Sequence, residues 1–153
     1  MTRRHLFSLA SAVLAARAFS PAASAQEMTP LDFSTLAQRR ALEAARRLAA
    51  EGWKIRDQML QHHLEPRQIL SCPVHLIGGV KYLFLATVRP VECRLQARLA
   101  DENGAALATA LPDQGSRIFA ISHEPAATTR ALLELTVPWD ASAGDLAALY
   151  VYR

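Results

Sequence analysis

The stretch Val80-Lys81-Tyr82-Leu83-Phe84-Leu85-Ala86-Thr87-Val88 decides the fold of this chain. Successive side chains of a strand point to opposite faces. Both faces are largely apolar here, with Tyr82, Phe84 and Ala86 on one and Leu83, Leu85 and Thr87 on the other. A strand with two apolar faces is covered on both sides. We therefore expect this strand to lie centrally in a sheet and to be buried on both faces.

Further strands are indicated on both sides of this stretch, because after Gly52 the apolar residues recur with a period near two. Turn signals interrupt the pattern about every 8 to 14 residues. The candidate strands lie at 53–64, 69–76, 80–88, 93–99, 105–110, 117–122, 129–137 and 146–152. Strands of this number bury their apolar faces best in two packed sheets. The sequence thus predicts a mainly β fold, a jelly-roll-like antiparallel sandwich of about eight strands.

One amphipathic helix precedes the predicted strands. Between residues 35 and 51 small and apolar side chains recur at helical spacing: Ala37, Ala41, Ala44, Ala45 and Leu48. Gly52 follows as a left-handed stop at the carboxyl end of the helix. We expect this helix to cover one edge or end of the sandwich.

The amino-terminal segment has the three parts of a secretory signal. Arg3 and Arg4 precede an apolar run of 11 residues at 6–16, and Ala23 and Ala25 form a small-residue cleavage site. The run is too short to span a bilayer, which takes about 20 helical residues, so no stable membrane span is expected. The predicted division is a signal peptide at 1–25, a leader and helix at 26–52, and a sandwich at 53–153. Twin-arginine and general secretory export both stay open.

Export would place the protein in the periplasm or outside the cell, and it changes the charge balance. The whole chain has 17 Lys and Arg against 14 Asp and Glu. Arg3, Arg4 and Arg17 leave with the signal, so the mature balance is 17 − 3 = 14 against 14. Nucleic-acid binding relies on clustered positive charge. A neutral mature domain therefore predicts no nucleic-acid partner.

Two cysteines, Cys72 and Cys93, remain in the mature chain. In an oxidising compartment a pair of thiols usually becomes a disulfide. We therefore expect a Cys72–Cys93 bond, with two buried, unpaired thiols as the alternative.

Residues suited to catalysis or metal binding are present without a convincing pattern. The best metal candidate is His62-His63-Leu64-Glu65, with His75 and His123-Glu124 as distant helpers. Adjacent residues of a strand point to opposite faces, so His62 and His63 would not share an ion. Asp101-Glu102-Asn103-Gly104 favours a hairpin turn over a calcium loop, because too few oxygen ligands follow it. We predict no catalytic residue, no metal and no cofactor.

Aromatic residues provide the remaining functional signal. Trp53, Trp139, Tyr150 and Tyr152 suit either a stacking platform for a sugar or peptide, or packing within the fold. Packing is the favoured interpretation. Trp139, in the loop Pro138-Trp139-Asp140, is the candidate ligand-binding residue.

Two segments carry a resemblance to a known family. Gly79 to Leu85 places a glycine before a tyrosine in an apolar strand, and Cys93 to Gly104 is an alternating strand that ends in an Asp-x-x-Gly turn. Over about 53–153 the chain resembles the secreted jelly-roll β-sandwich domains known as pre-peptidase C-terminal domains. The resemblance implies a non-catalytic binding or accessory role, with a protein or carbohydrate of the cell envelope as partner. A self-associating structural envelope protein and a small secreted hydrolase are the alternatives.

Overall fold

The computed structural model describes residues 33–56, 58–90, 93–110 and 118–153. The predicted signal peptide at 1–25 and its export lie outside the described residues. These residues form one helix and nine strands: α1 (Phe33–Ala50), β1 (Lys54–Ile55), β2 (Leu60–Leu64), β3 (Ile69–Leu76), β4 (Tyr82–Arg89), β5 (Gln96–Asp101), β6 (Ala106–Thr109), β7 (Ile118–His123), β8 (Thr129–Thr136) and β9 (Gly144–Tyr152).

The strands form two antiparallel sheets that pack as a sandwich. In sheet A, β1 and β2 both pair with β9, which pairs with β4, and β4 pairs with β7. Sheet B has the order β3-β8-β5-β6. The mainly β sandwich predicted from the sequence is confirmed. The described strands number nine because the predicted first strand, 53–64, is divided into β1 and β2.

The central position predicted for 80–88 is also confirmed. β4 lies between β9 and β7. Its side chains Tyr82, Phe84, Ala86 and Val88 belong to the apolar cluster between the sheets. Leu85 lies in a second cluster on the opposite face, beneath α1. Both faces of β4 are therefore buried, as its two apolar faces require.

The expected place of the helix was wrong, because α1 covers the outer face of sheet A and not an edge or end. Its contact side is a row of three alanines, Ala37, Ala41 and Ala45, each with no exposed surface. Such small side chains let the helix approach closely the apolar outer face of β4 and β9. The buried Thr87 hydroxyl donates a 2.7 Å hydrogen bond to the Ala37 carbonyl oxygen, which fixes the position of the helix on β4.

Four aromatic rings fill one part of the space between the sheets. Tyr82, Phe84, Tyr150 and Tyr152 have neighbouring ring centroids 5.3 to 6.3 Å apart. The Tyr82 hydroxyl accepts a hydrogen bond from the Ile77 N–H at 2.9 Å, so its polar end is satisfied. Trp53 packs in the other cluster, beneath α1. For Trp53, Tyr150 and Tyr152 the structure supports the packing interpretation.

The predicted disulfide is wrong, since Cys72 and Cys93 are both free thiols. Cys72 lies on β3 and Cys93 just before β5, and β8 separates these two strands. Two strand spacings are about 10 Å, beyond the roughly 7 Å Cα separation that a disulfide tolerates. Leu133 of β8 pairs with both Cys72 and Leu99. Cys93 precedes Leu99 by six residues, which adds a further separation along the strand.

The pairing between the first strands and β9 contains an irregularity. Ile55 pairs with Val151 and Leu60 pairs with Ala148. Four positions of the sequence lie between Ile55 and Leu60, but only two lie between Ala148 and Val151. Extra residues in one strand interrupt the hydrogen-bond ladder and bend the strand. Arg56, Gln58, Met59 and Leu60 form one wall of an opening between the two sheets.

Candidate functional site

An opening between the sheets, which we call the inter-sheet cleft, forms a concave site in the described part of the chain. It has a volume of about 520 Å³ and lies between residues 56 and 58–60 on one side and β3 and β9 on the other. Its lining residues are Arg56, Gln58, Met59, Leu60, Cys72, Pro73, Val74, His75, Leu133, Ala148, Leu149 and Tyr150. Clefts of this size with a mainly apolar wall are typical sites for small molecules.

The wall of the inter-sheet cleft is largely aliphatic. On one side it is formed by the inward face of β3, which is an edge strand of sheet B. Cys72 and Val74 point inward from β3 and are half-buried. Sheet A contributes Leu60 and Ala148, which pair with each other across β2 and β9. Leu133 of β8 completes this wall. An apolar group placed here would lose its contact with water, which favours binding.

The polar groups of the inter-sheet cleft gather around Arg56. Its guanidinium carbon lies 5.8 Å from the centroid of the Tyr150 ring, within cation–π range. The backbone N–H of Arg56 also donates to the Tyr150 carbonyl oxygen at 3.1 Å. Both the backbone and the side chain of Arg56 are therefore held against Tyr150. Burial raises the pKa of the Tyr150 hydroxyl, and the nearby Arg56 cation partly opposes this effect. The hydroxyl therefore stays a neutral hydrogen-bonding group.

A second polar group centres on His63, at the end of β2. Its Nδ1 lies 2.8 Å from Oδ1 of Asp145, and its Nε2 lies 3.4 Å from Oε1 of Glu65. The pKa of His63 is raised above its usual 6.5, chiefly by the hydrogen bond to Asp145. His62 pairs with Leu146 and His63 with Asp145, so the two imidazoles lie on opposite faces as predicted.

The raised pKa of His63 predicts a small pH dependence of stability. A proton bound more tightly in the folded state stabilises the fold below the unfolded pKa, about 6.5, and this contribution is lost as pH rises through the folded pKa. The side chain is 55% exposed, so solvent screening limits the effect to about 0.5 kcal/mol or less. NMR titration should give a His63 pKa above 6.5. The Asp145→Asn variant should lower it, and an unchanged pKa in that variant would contradict the assignment.

The hydrolase alternative would need a nucleophile beside the His63–Asp145 pair. Cys93 is near enough for the Asp145 charge to affect it, but it is only 2% exposed. Burial, with a smaller effect of Asp145, raises the pKa of the Cys93 thiol to about 11. Catalytic cysteines need a lowered pKa, because the thiolate is the nucleophile. Cys93 is therefore a buried, packed thiol and is not placed to act as a nucleophile.

The other predicted metal candidates lie apart from His63. His75 is on β3 of sheet B. His123 is on β7, at the opposite edge of sheet A, where it pairs with Tyr82 of β4. Among the described residues, no group of three or more His, Cys, Asp or Glu could hold a metal ion. At the hairpin 101–105, Asp101 Oδ1 accepts from the N–H groups of Asn103 and Ala105. The interpretation of this segment as a turn is confirmed.

Trp139 lies far more exposed than the other predicted aromatic residues. It follows β8 and is 72% exposed. The neighbouring Asp140 forms an ion pair with Arg94, and this interaction lowers the pKa of the Asp140 carboxyl. The four aromatics named from the sequence do not form one platform, because Trp53, Tyr150 and Tyr152 pack elsewhere. A ligand contact at Trp139 stays a prediction.

The free thiols predict a specific alkylation pattern. Cys72 is half-buried in the cleft wall and Cys93 is buried. Burial raises the pKa of both thiols, more for Cys93. With N-ethylmaleimide at pH 8 the folded protein should gain one adduct, at Cys72, and the urea-unfolded protein two. Intact-mass spectrometry with peptide mapping measures this. An unreduced, unfolded protein without adducts would restore the disulfide.

Comparisons with known proteins do not assign a family to this chain. No protein-family model matches it, and no curated protein shows significant similarity. The resemblance to pre-peptidase C-terminal domains stays a prediction. In the part of the chain that the structure describes, the helix α1 lacks the apolar character that a membrane span needs.

Sequence reasoning missed the inter-sheet cleft, although one signal was present. In the predicted strand 53–64, the consecutive polar residues Arg56, Asp57 and Gln58 break the two-residue period. Such a break marks an irregular strand. The opposite wall comes from β3, β8 and β9, and nothing in the local sequence shows that these strands meet it.

Proposed function

We propose that this protein is an exported, non-catalytic binding module that takes its ligand in the inter-sheet cleft. The observation that carries the proposal is the cleft itself, a space of about 520 Å³ with an aliphatic wall and a few polar groups around Arg56. This combination gives an apolar ligand both an apolar surface to contact and a polar group that fixes its orientation. The buried, protonated Cys93 thiol supports binding over hydrolysis.

Export is the second part of the proposal and rests on the sequence at 1–25. The intact-mass measurement described for the thiols also tests export. Protein recovered from the periplasm should have a mass that begins at Gln26, and a full-length mass would overturn export without affecting the cleft.

The cleft is tested with a neutral apolar dye, N-phenyl-1-naphthylamine, whose fluorescence rises in apolar surroundings. We expect saturable binding of one dye per chain. Val74→Trp should weaken it at least tenfold, because Val74 points into the cleft from β3 and an indole there fills the space. Fluorescence titration of the folded proteins measures the effect.

Ser71→Trp is the matched control for this experiment. Ser71 lies on the same strand with its exposed side chain outside the cleft lining. This variant should bind the dye as the wild type does. Equal dye binding by all three proteins would show that the dye binds elsewhere, and the proposed function would fail.

A further inference from the structure

We propose that the inter-sheet cleft binds an amphipathic molecule with an unbranched apolar body and a single anionic group, and that the anionic group lies beside Arg56. This inference rests on the proposed binding function and names its ligand class. The occupant is a free single-chain molecule, with a carboxylate as its simplest head group.

The charge of the cleft comes from Arg56. Its side chain is exposed, and it forms no ion pair with any described residue. The contact with the Tyr150 ring uses the planar face of the guanidinium. The N–H groups at its edge remain able to donate, and their fork matches the two oxygens of a carboxylate. An anion therefore finds a positioned partner at this point.

The other described lining residues favour an anion over a cation. None of them is an Asp or a Glu. Gln58 adds a hydrogen-bond donor, and the Tyr150 hydroxyl is neutral, because burial raises its pKa further above the usual 10. A positively charged ligand would lose its hydration and face the Arg56 charge without compensation. Electrostatic complementarity thus selects the sign of the head group.

The aliphatic wall favours an unbranched apolar body. Met59, Leu60, Val74, Leu133 and Ala148 line the cleft between the two sheets. A sugar would place its hydroxyls against these groups and leave them without hydrogen bonds. Each additional buried methylene should raise affinity about fourfold. Affinity should therefore rise with chain length until the cleft is filled.

The experiment compares three ten-carbon probes of different charge. Decanoate, 1-decanol and decylammonium are titrated at monomeric concentrations against the protein carrying N-phenyl-1-naphthylamine, and displacement of the dye gives their affinities. Decanoate should bind at least about tenfold more tightly than 1-decanol, the ratio expected for a hydrogen-bonded charge. Decylammonium should bind more weakly than 1-decanol. Decanoate should also slow alkylation of Cys72, which places it in the cleft.

Two matched variants test whether the carboxylate of decanoate lies beside Arg56. Arg56→Gln should weaken decanoate about tenfold and leave 1-decanol unchanged. Arg130→Gln is the control, because Arg130 is also exposed and lies on β8 opposite His75, outside the cleft lining. It should change neither affinity.

The outcomes separate this inference from the proposed function. If decanoate and 1-decanol displace the dye and protect Cys72 equally, and Arg56→Gln changes nothing, the cleft binds apolar chains but the anion inference is overturned. If no probe displaces the dye or protects Cys72 while Val74→Trp still weakens dye binding, the ligand class is overturned and the cleft stands. The proposed function itself fails only if Val74→Trp leaves dye binding unchanged.

Discussion

Phe84→Ala is expected to lower the free energy of unfolding by about 4 kcal/mol, because it removes a large side chain from the centre of the sandwich. Phe84 is 2% exposed on β4, which pairs on both sides. Its ring centroid lies 5.3 Å from that of Tyr150 and 6.3 Å from that of Tyr82. Alanine would forfeit this burial and leave a cavity. Urea unfolding followed by circular dichroism measures the change.

Trp139→Ala is the control for Phe84→Ala. Trp139 is 72% exposed, so its loss should change the free energy of unfolding by no more than about 0.5 kcal/mol. Similar costs for the two variants would contradict the burial of Phe84 between the sheets. A large cost for Trp139→Ala alone would show that its ring packs in the fold.

Gly144→Ala is expected to cost about 3 kcal/mol, at the upper end of the range for overpacking. A Cβ at this position would lie 2.6 Å from the Arg89 carbonyl oxygen and 2.9 Å from both Cβ and Sγ of Cys93. The carbonyl belongs to β4 and has little freedom to move. The added methyl group therefore has to separate the start of β9 from β4. Urea unfolding at pH 7 measures the cost.

Gly104→Ala separates this steric effect from backbone strain. A Cβ at Gly104 meets nothing within 4 Å, but its φ is +84°. Only the left-handed conformation is penalised there, at about 1 kcal/mol. A cost for Gly144→Ala no greater than that for Gly104→Ala would contradict the close contact between β9 and the Arg89 carbonyl.

Several elements could be predicted because their causes are local. The two apolar faces of 80–88 fix a strand buried on both sides, and β4 is that strand. The stop predicted at Gly52 is a glycine with φ +90°. The hairpin at Asp101 follows from a carboxylate that accepts hydrogen bonds from the residues after it. Each of these features depends on residues close together in sequence.

The features that sequence reasoning missed depend on residues far apart in the chain. The alanine row of α1 indicates a close contact but not which surface receives it. Whether Cys72 and Cys93 can bond depends on β8, which the chain inserts between their strands. The cleft depends on the register of β9 with β1 and β2. A single sequence without the strand order does not contain this information.

The place of β9 in the fold has a consequence for the order of synthesis. β9, the last strand in the sequence, pairs with β1, β2 and β4 and packs against α1. Sheet A therefore cannot close while residues 144–152 are still in the ribosome. Pairings across so many residues are formed late and slowly. Until then the helix and the earlier strands of sheet A keep apolar surface uncovered, which is the state that chaperones bind.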